Sequence, residues 1–383
     1  MKAALLVDAR RIEIAEVPAI PCGPRDVVVA PKVVGVCGSD LHIHDGAMNF
    51  NFDAEGRPRP LSEAPQILGH EIAGTVVEIG SAVTDLSVGD RVVVDQGLNC
   101  ASRLRGPDRW CDHCRAGFSH HCVDYEEHGI TGLPGGFAER IVVPAVNAIA
   151  IEGDLAFEDA AMTEPLGCVL HSLRLMSGVH GRRGFARGDV RSIAISGLGP
   201  SGQLFGKAVR GVFDFAGPIV ASDPDPGKRE IASRSFDAVV VDSREPDALE
   251  RAVRETIGHG GGVDVLVDAC GSPEAWREFP RVVAQRGTAI LYGFGRERGG
   301  AGTLDALQWR GVEMVATSGA SGPIDADGRP GLYREAIDHL ARGRVRVDDL
   351  VTHRHVGLTQ VSAALADAPT EPGYLKGVLV LDA

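Results

Sequence analysis

The sequence has little lysine. Five of its 39 basic residues are Lys and the rest are Arg, scattered rather than gathered on one element, which reads as coding bias. Base is also outnumbered by acid, 39 to 52, and the formal charge of −13 excludes a broad basic face for nucleic acid. No stretch approaches the roughly 18 apolar residues of a spanning helix, so no membrane role is expected. At the N-terminus only Ala3–Val7 separates Lys2 from Asp8, too short for a secretory leader, and the expected location is the cytoplasm. No fixed repeat, collagen-like glycine period or low-complexity segment is present. What remains is ordinary for globular protein, 44% apolar and 24% charged, and the 383 residues are enough for two domains. Eight cysteines in a reducing compartment call for metal or catalytic explanations before disulfides.

The chain changes texture along its length. Up to about residue 160 it shows short β-branched runs broken by Gly and Pro, such as Val27–Ala30, Thr75–Ile79 and Arg91–Asp95. From about 165 to 300, apolar runs alternate with helix-length stretches: Ile193–Ser196, Ile219–Ser222, Ala238–Val241, Val265–Asp268 and Thr288–Tyr292. That rhythm predicts parallel βαβ units. The remainder mixes a strand-like Gly311–Thr317, a helical Tyr333–Arg342 and a final strand Gly377–Leu381.

The first βα junction of the middle zone reads Gly197-Leu-Gly199-Pro200-Ser201-Gly202, a G-x-G-x-x-G between an apolar strand and a helix. Gly197 permits the tight turn, Gly199 the approach of a pyrophosphate, and Gly202 close helix–strand packing. The helix N-terminus offers free N–H groups to phosphates. Asp223 ends the second strand, 21 residues after Gly202, where it would accept from the adenosine ribose hydroxyls and repel a 2′-phosphate. NAD is therefore expected over NADP, with Lys228 and Arg229 near enough to weaken that preference slightly.

Two cysteine-bearing sets point to metal. Cys111, Cys114 and Cys122 stand at C-x2-C-x7-C, with Cys100 eleven positions earlier, and four thiolates can enclose a structural Zn. Asp108 and His113 in the same stretch are alternative ligands. The second set is dispersed: Cys37, His70, Glu71 and Glu164, a mixed S, N and O set suited to Zn with one position left for water or substrate. Ser39, Asp40 and His42 beside Cys37 read as proton acceptor, anchor for a ligating His, and relay to solvent. Cys22, Cys168 and Cys270 read as packing residues.

These residues resemble the zinc-dependent medium-chain alcohol and polyol dehydrogenases over essentially the whole chain. Gly69-His70-Glu71-x2-Gly74-x5-Gly80-x2-Val83 is similar to the zinc-alcohol-dehydrogenase signature in full, and Cys37-Gly38-Ser39-Asp40-x-His42 and Gly89-Asp90-Arg91-Val92 to further landmarks. Glu164-Pro165-Leu166 and the insertion Asn49–Glu63 are most like the sorbitol, butanediol and threonine dehydrogenase branch. The resemblance implies an α/β protein. A GroES-like β-rich catalytic domain at 1–163, with a structural-zinc lobe at about 95–125, is followed by a Rossmann doubly wound parallel-sheet cofactor domain at 164–300. Residues 301–383 complete the catalytic domain. It further implies an active site in the interdomain cleft and a homodimer or homotetramer.

Position by position, Cys37 and His70 would ligate catalytic zinc, with Glu71 and Glu164 sharing the remaining protein position. Ser39 would take the hydroxyl proton and His42 pass it outward. Gly197, Gly199, Pro200, Ser201, Gly202, Asp223 and Arg229 would meet the nucleotide. One departure concerns the lobe: ten residues separate Cys100 from Cys111, so either Cys100 precedes a loop insertion or Asp108 is the first ligand.

The implied reaction is reversible oxidation of a secondary alcohol or polyol, a small-molecule substrate, to its ketone by hydride transfer to NAD. The alternatives are an NADH-dependent carbonyl reductase of a specialised pathway, or a zinc-stabilised NAD-binding regulatory protein without turnover. Arg57 and Arg59 in the insertion would suit an anionic substrate, or serve only as solvated loop charges.

Overall fold

A computed structural model describes residues 1–177, 183–258, 261–294, 301–366 and 370–381. The chain divides into two compact units, one comprising Met1–Gly167, Ala320–Gly343 and Leu350–Ala383, the other Cys168–Gly319 and Arg344–Asp349.

In the first unit the β-branched runs become a seven-stranded sheet. Its order is Val351–Val356, Lys376–Val380, Asp26–Gly35, Glu71–Ile79, Arg91–Val94 and Ala148–Ala150, with Ile141–Pro144 also pairing with Asp26–Gly35. All pairings are antiparallel except the first. Val27, Val29, Val34, Ile72, Val76, Val92 and Val94 are buried in one apolar cluster, the inward-facing register expected of half-buried strands. The strand Lys376–Val380 lies beside Asp26–Gly35, which in turn pairs Gly35 with Glu71. This places the last strand of the chain next to the first residues of the site.

The second unit is a six-stranded sheet, parallel throughout. Its order is Ala238–Val241, Ile219–Ser222, Ile193–Ser196, Val263–Asp268, Val283–Leu291, Glu313–Ala316. Read by chain position this is 3-2-1-4-5-6, the doubly wound order whose direction reverses beside Ile193–Ser196. Helices Ala248–Ile257 and Pro273–Val282 pack Leu249, Val253, Trp276 and Phe279 against it.

The domain limits expected at 163 and 300 differ from this partition. Glu313–Ala316 is the sixth parallel strand, so the second unit continues to Gly319. Arg344–Asp349 also returns to it, held by Lys207 Nζ at 2.7 and 3.0 Å from the Asp349 carboxylate. Among the described residues no helix is long and apolar enough to cross a membrane.

Candidate functional site

Cys37 follows the strand Asp26–Gly35 and caps the short helix Gly38–His44. The wholly buried Asp40 organises what surrounds it. Its Oδ2 accepts from Cys37 N–H at 2.9 Å, its Oδ1 accepts from Gly69 N–H at 3.1 Å, and the same Oδ1 lies 3.4 Å from His70 Nδ1. Gly69 adopts φ +88°, with the Phe137 ring 2.8 Å from where a Cβ would stand, so the turn that presents His70 requires glycine.

The donor atoms of Cys37, His70 and Glu71 fall within 4.8 Å of one another. Burial pulls the His70 imidazole down, but the Asp40 carboxylate, its hydrogen bond and the Cys37 thiol outweigh burial and raise it well above its ordinary value. The same negative neighbours would favour a cation there. With its S, N and O donors, the trio fits zinc.

Sequence reasoning missed Lys376. Its ammonium is buried and sits 2.6 Å from Glu71 Oε1 and 2.5 Å from Oε2. A lysine among Leu375, Gly377, Val378 and Leu379 in an apolar final strand was the available signal. Glu164 does not join the trio. Its Oε1 accepts from Gln96 Nε2 at 3.1 Å, and Gln96, like Tyr333 beside it, was also missed. Ser39 Oγ lies 3.5 Å from His70 Nε2, and the half-buried His42 is three residues on in the same helix, hence on the same face.

The lobe thiols form a second group, Cys100, Cys111, Cys114 and Cys122, without Asp108. Cys100 and Cys122 sulfurs are 3.7 Å apart, and Cys111 and Cys122 sulfurs 3.9 Å apart, yet all are free. Burial raises the Cys111 thiol. Backbone N–H groups of Cys114 and Val123, with neighbouring thiols, more than reverse this and bring it to about 6. Four converging thiols, one readily ionised, fit a closed tetrahedral zinc site. The rival ligands Asp108 and His113 are both exposed. Cys22 is half-buried and Cys168 buried, while Cys270 is exposed rather than packed, with Sγ 3.5 Å from Ser196 Oγ.

In the second unit Gly197 has φ +92°, and a Cβ on Gly202 would stand 2.0 Å from the Gly197 carbonyl. A Cβ on Gly199 would meet nothing within 4 Å, leaving that side of the loop open to a ligand. Pro200 occupies the first turn of the helix Pro200–Gly211, and Gln203 N–H is bonded to Gly199 O. Ser201 and Gly202 therefore present the N–H groups that no helix carbonyl can reach. The buried Asp223 accepts from Leu198 N–H at 2.8 Å and Asp225 N–H at 2.9 Å. Arg229 donates to the carbonyls of Asp223 and Pro224 and lies 3.4 Å from Asp242. In the insertion Arg57 and Arg59 are both exposed, and Arg57 pairs with Asp53 and Glu55.

The model of the alcohol dehydrogenase GroES-like domain matches residues 23–153, and that of the zinc-binding dehydrogenase family residues 204–341. A sorbitol dehydrogenase of Bacillus subtilis is 29% identical over 375 residues, covering 96% of this chain and 93% of its own. An L-threonine 3-dehydrogenase of Pyrococcus horikoshii is 30% identical over 352 residues, covering 92% and 90%. Among solved structures, a zinc-binding dehydrogenase from Sinorhizobium meliloti bound to NADP superimposes with TM-score 0.79 at 26% identity, covering 99% and 98%. These similarities make the chain an oxidoreductase of the NAD(P)-linked alcohol type. By its matched domains, the order of its sheets and the likeness of its full length, the chain belongs to the zinc-type medium-chain dehydrogenase/reductase superfamily.

Proposed function

We propose that the chain is a zinc-dependent, NAD(H)-linked dehydrogenase that interconverts a secondary alcohol or polyol and its ketone. The observation that carries this reading is the trio Cys37, His70 and Glu71 with the Ser39 hydroxyl at its edge. Cys37 and His70 would hold the catalytic zinc, with Glu71 and Glu164 available for the remaining protein position. Cys100, Cys111, Cys114 and Cys122 would hold a structural one. When bound, the catalytic zinc supplies Lewis acidity that brings a hydroxyl's ionisation towards neutral pH.

Asp40 holds the backbone of Cys37 and stands 3.4 Å from His70 Nδ1, so one buried carboxylate would orient both donors. Ser39 takes the substrate's hydroxyl proton, and His42, one turn on, hands it towards water. The nicotinamide, when bound, would accept the carbinol hydrogen as hydride, so that alcohol and NAD would give ketone, NADH and a proton. The cofactor carries that chemistry, and the chain supplies alignment. Sorbitol is a polyol with secondary hydroxyls and L-threonine carries one at its 3-position; both are named for similar enzymes, which supports this substrate class.

Asp223 supports NAD rather than NADP. Two backbone N–H groups hold the Asp223 carboxylate at the end of the second strand, a negative charge that would repel a 2′-phosphate, and Arg229 turns its Nη1 to the carbonyls of Asp223 and Pro224 and towards Asp242. The test is an alcohol panel (2,3-butanediol, sorbitol, threonine) with NAD and NADP, with zinc counted per subunit. Turnover is expected with NAD above NADP, and Cys37→Ser should abolish it while NADH still binds. Full activity of Cys37→Ser at unchanged metal content would overturn the assignment. No turnover by fully metallated protein would favour a non-catalytic NAD-binding role.

A further inference from the structure

Gln96 is wholly buried, and three groups share its side-chain amide. Nε2 donates to Glu164 Oε1 at 3.1 Å and to Glu127 Oε1 at 3.0 Å, while Oε1 accepts from the Tyr333 hydroxyl. Chemistry forces this orientation, because carboxylate oxygens need donors and only the NH2 end has two protons to give. Each proton therefore serves a different carboxylate, and Tyr333, wholly buried on the helix Gly331–Ala341, pins the carbonyl end. The backbone is tied as well, since Gln96 O accepts from His128 N–H at 2.9 Å.

On the proposed function Glu71 and Glu164 would compete for one metal position, and they are restrained differently. Glu71 faces the Lys376 ammonium, whereas Glu164 is tethered by the neutral amide of Gln96. Were Glu164 to leave for a metal, Gln96 would keep a buried N–H without its acceptor, a cost that weighs against the move. A catalytic zinc site needs one position left open. We propose that Gln96 is the positioning residue of Glu164, retaining that carboxylate outside the trio so that the fourth position stays available to substrate. This rests on the reading of Cys37, His70 and Glu71 as metal donors.

The full-length protein is loaded with cobalt(II). Chelator competition gives its dissociation constant and visible absorption its ligand set, and the band and stoichiometry lost in Cys37→Ser assign the catalytic site. Gln96→Leu should tighten that site about tenfold, the scale of changes around metal ligands, and shift its band. Neither change should appear when Glu164→Gln is also present. Tyr333→Phe, which only frees the amide to turn, should give a smaller shift of the same sign and carries the test if Gln96→Leu does not fold. An unchanged or weakened site, or the same effect with Glu164→Gln, would overturn the proposal. Should Cys37→Ser leave the cobalt count and spectrum unaltered, the reading beneath it fails as well. Loss of one cobalt in Cys37→Ser with a wild-type-like Gln96→Leu sinks the positioning role alone.

Discussion

Replacing Lys376 by methionine keeps most of the apolar stem and deletes the ammonium, leaving Glu71, at 0% exposure, without its ion-pair partner. Burial alone would pull the Lys376 ammonium down. Glu71, Cys37 and Tyr374 around it reverse this and hold it above its ordinary value, so the pair is strongly coupled in the folded state. At the shorter Nζ–O distance of 2.5 Å, and an effective dielectric of about 20, the attraction is roughly 7 kcal/mol, much of it offset by desolvating both ions. Deleting one partner is more costly than the pair's net worth, because the other charge stays behind. The expected loss is about 3–5 kcal/mol. Urea unfolding of metal-free protein at neutral pH, followed by circular dichroism, should show it. Glu71→Leu combined with Lys376→Met should recover most of the loss, since no buried charge remains. Zinc should restore part of the stability of the single variant by supplying positive charge to Glu71 and binding the native state alone. A loss below about 1 kcal/mol, or a double variant no better than the single one, would refute the reasoning.

The glycine loop makes two contrasting predictions. Gly202→Ala forces a Cβ to 2.0 Å from a carbonyl and should lower both stability and NADH affinity, whereas Gly199→Ala, with nothing within 4 Å, should lower NADH affinity in a normally folded protein. Fluorescence titration with NADH beside thermal unfolding separates the two. In the lobe, Cys100→Ser should reduce the zinc count by one per subunit by elemental analysis, while Asp108→Asn leaves it unchanged. His128 supplies a pH prediction. Burial lowers its pKa below 6.5, outweighing the bond its Nδ1–H donates to the Pro134 carbonyl at 2.8 Å. The fold thus favours the neutral ring. Its contribution is complete above about pH 6.5 and declines as pH falls through the lowered folded value, where protonation favours the unfolded chain. Unfolding free energies at pH 7.5 and 5 should differ less in His128→Gln than in the parent.

Features legible in the sequence are those whose partners lie close along the chain. Gly197, Gly199 and Gly202 act within one turn, and Asp223 meets Leu198 N–H because two adjacent parallel strands end side by side. Cys37 and Asp40 are three residues apart, and the lobe thiols span 22, so spacing already groups each set. Even the ambiguous first lobe position turned on the ten residues between Cys100 and Cys111, which fold so as to bring Cys111 N–H to 3.3 Å from Cys100 Sγ. Domain limits were less legible. The sixth strand, Glu313–Ala316, lies beyond the alternating rhythm, and the return of Arg344–Asp349 depends on a lysine 142 positions away.

The two acids expected to share a zinc position show why the rest could not be read. In sequence Glu71 and Glu164 are interchangeable, each a carboxylate beside a family landmark. Their difference comes from partners 305 and 68 positions distant, Lys376 and Gln96. A cation and a neutral amide restrain a carboxylate in unlike ways. The ammonium stabilises charge wherever it points, while the amide fixes one oxygen in one direction and loses a bond when it moves. On the proposed reading, environment rather than residue type would separate their roles. No periodicity marks such partners, because strand pairing brings Lys376 to Glu71 only after the last strand has docked beside Asp26–Gly35.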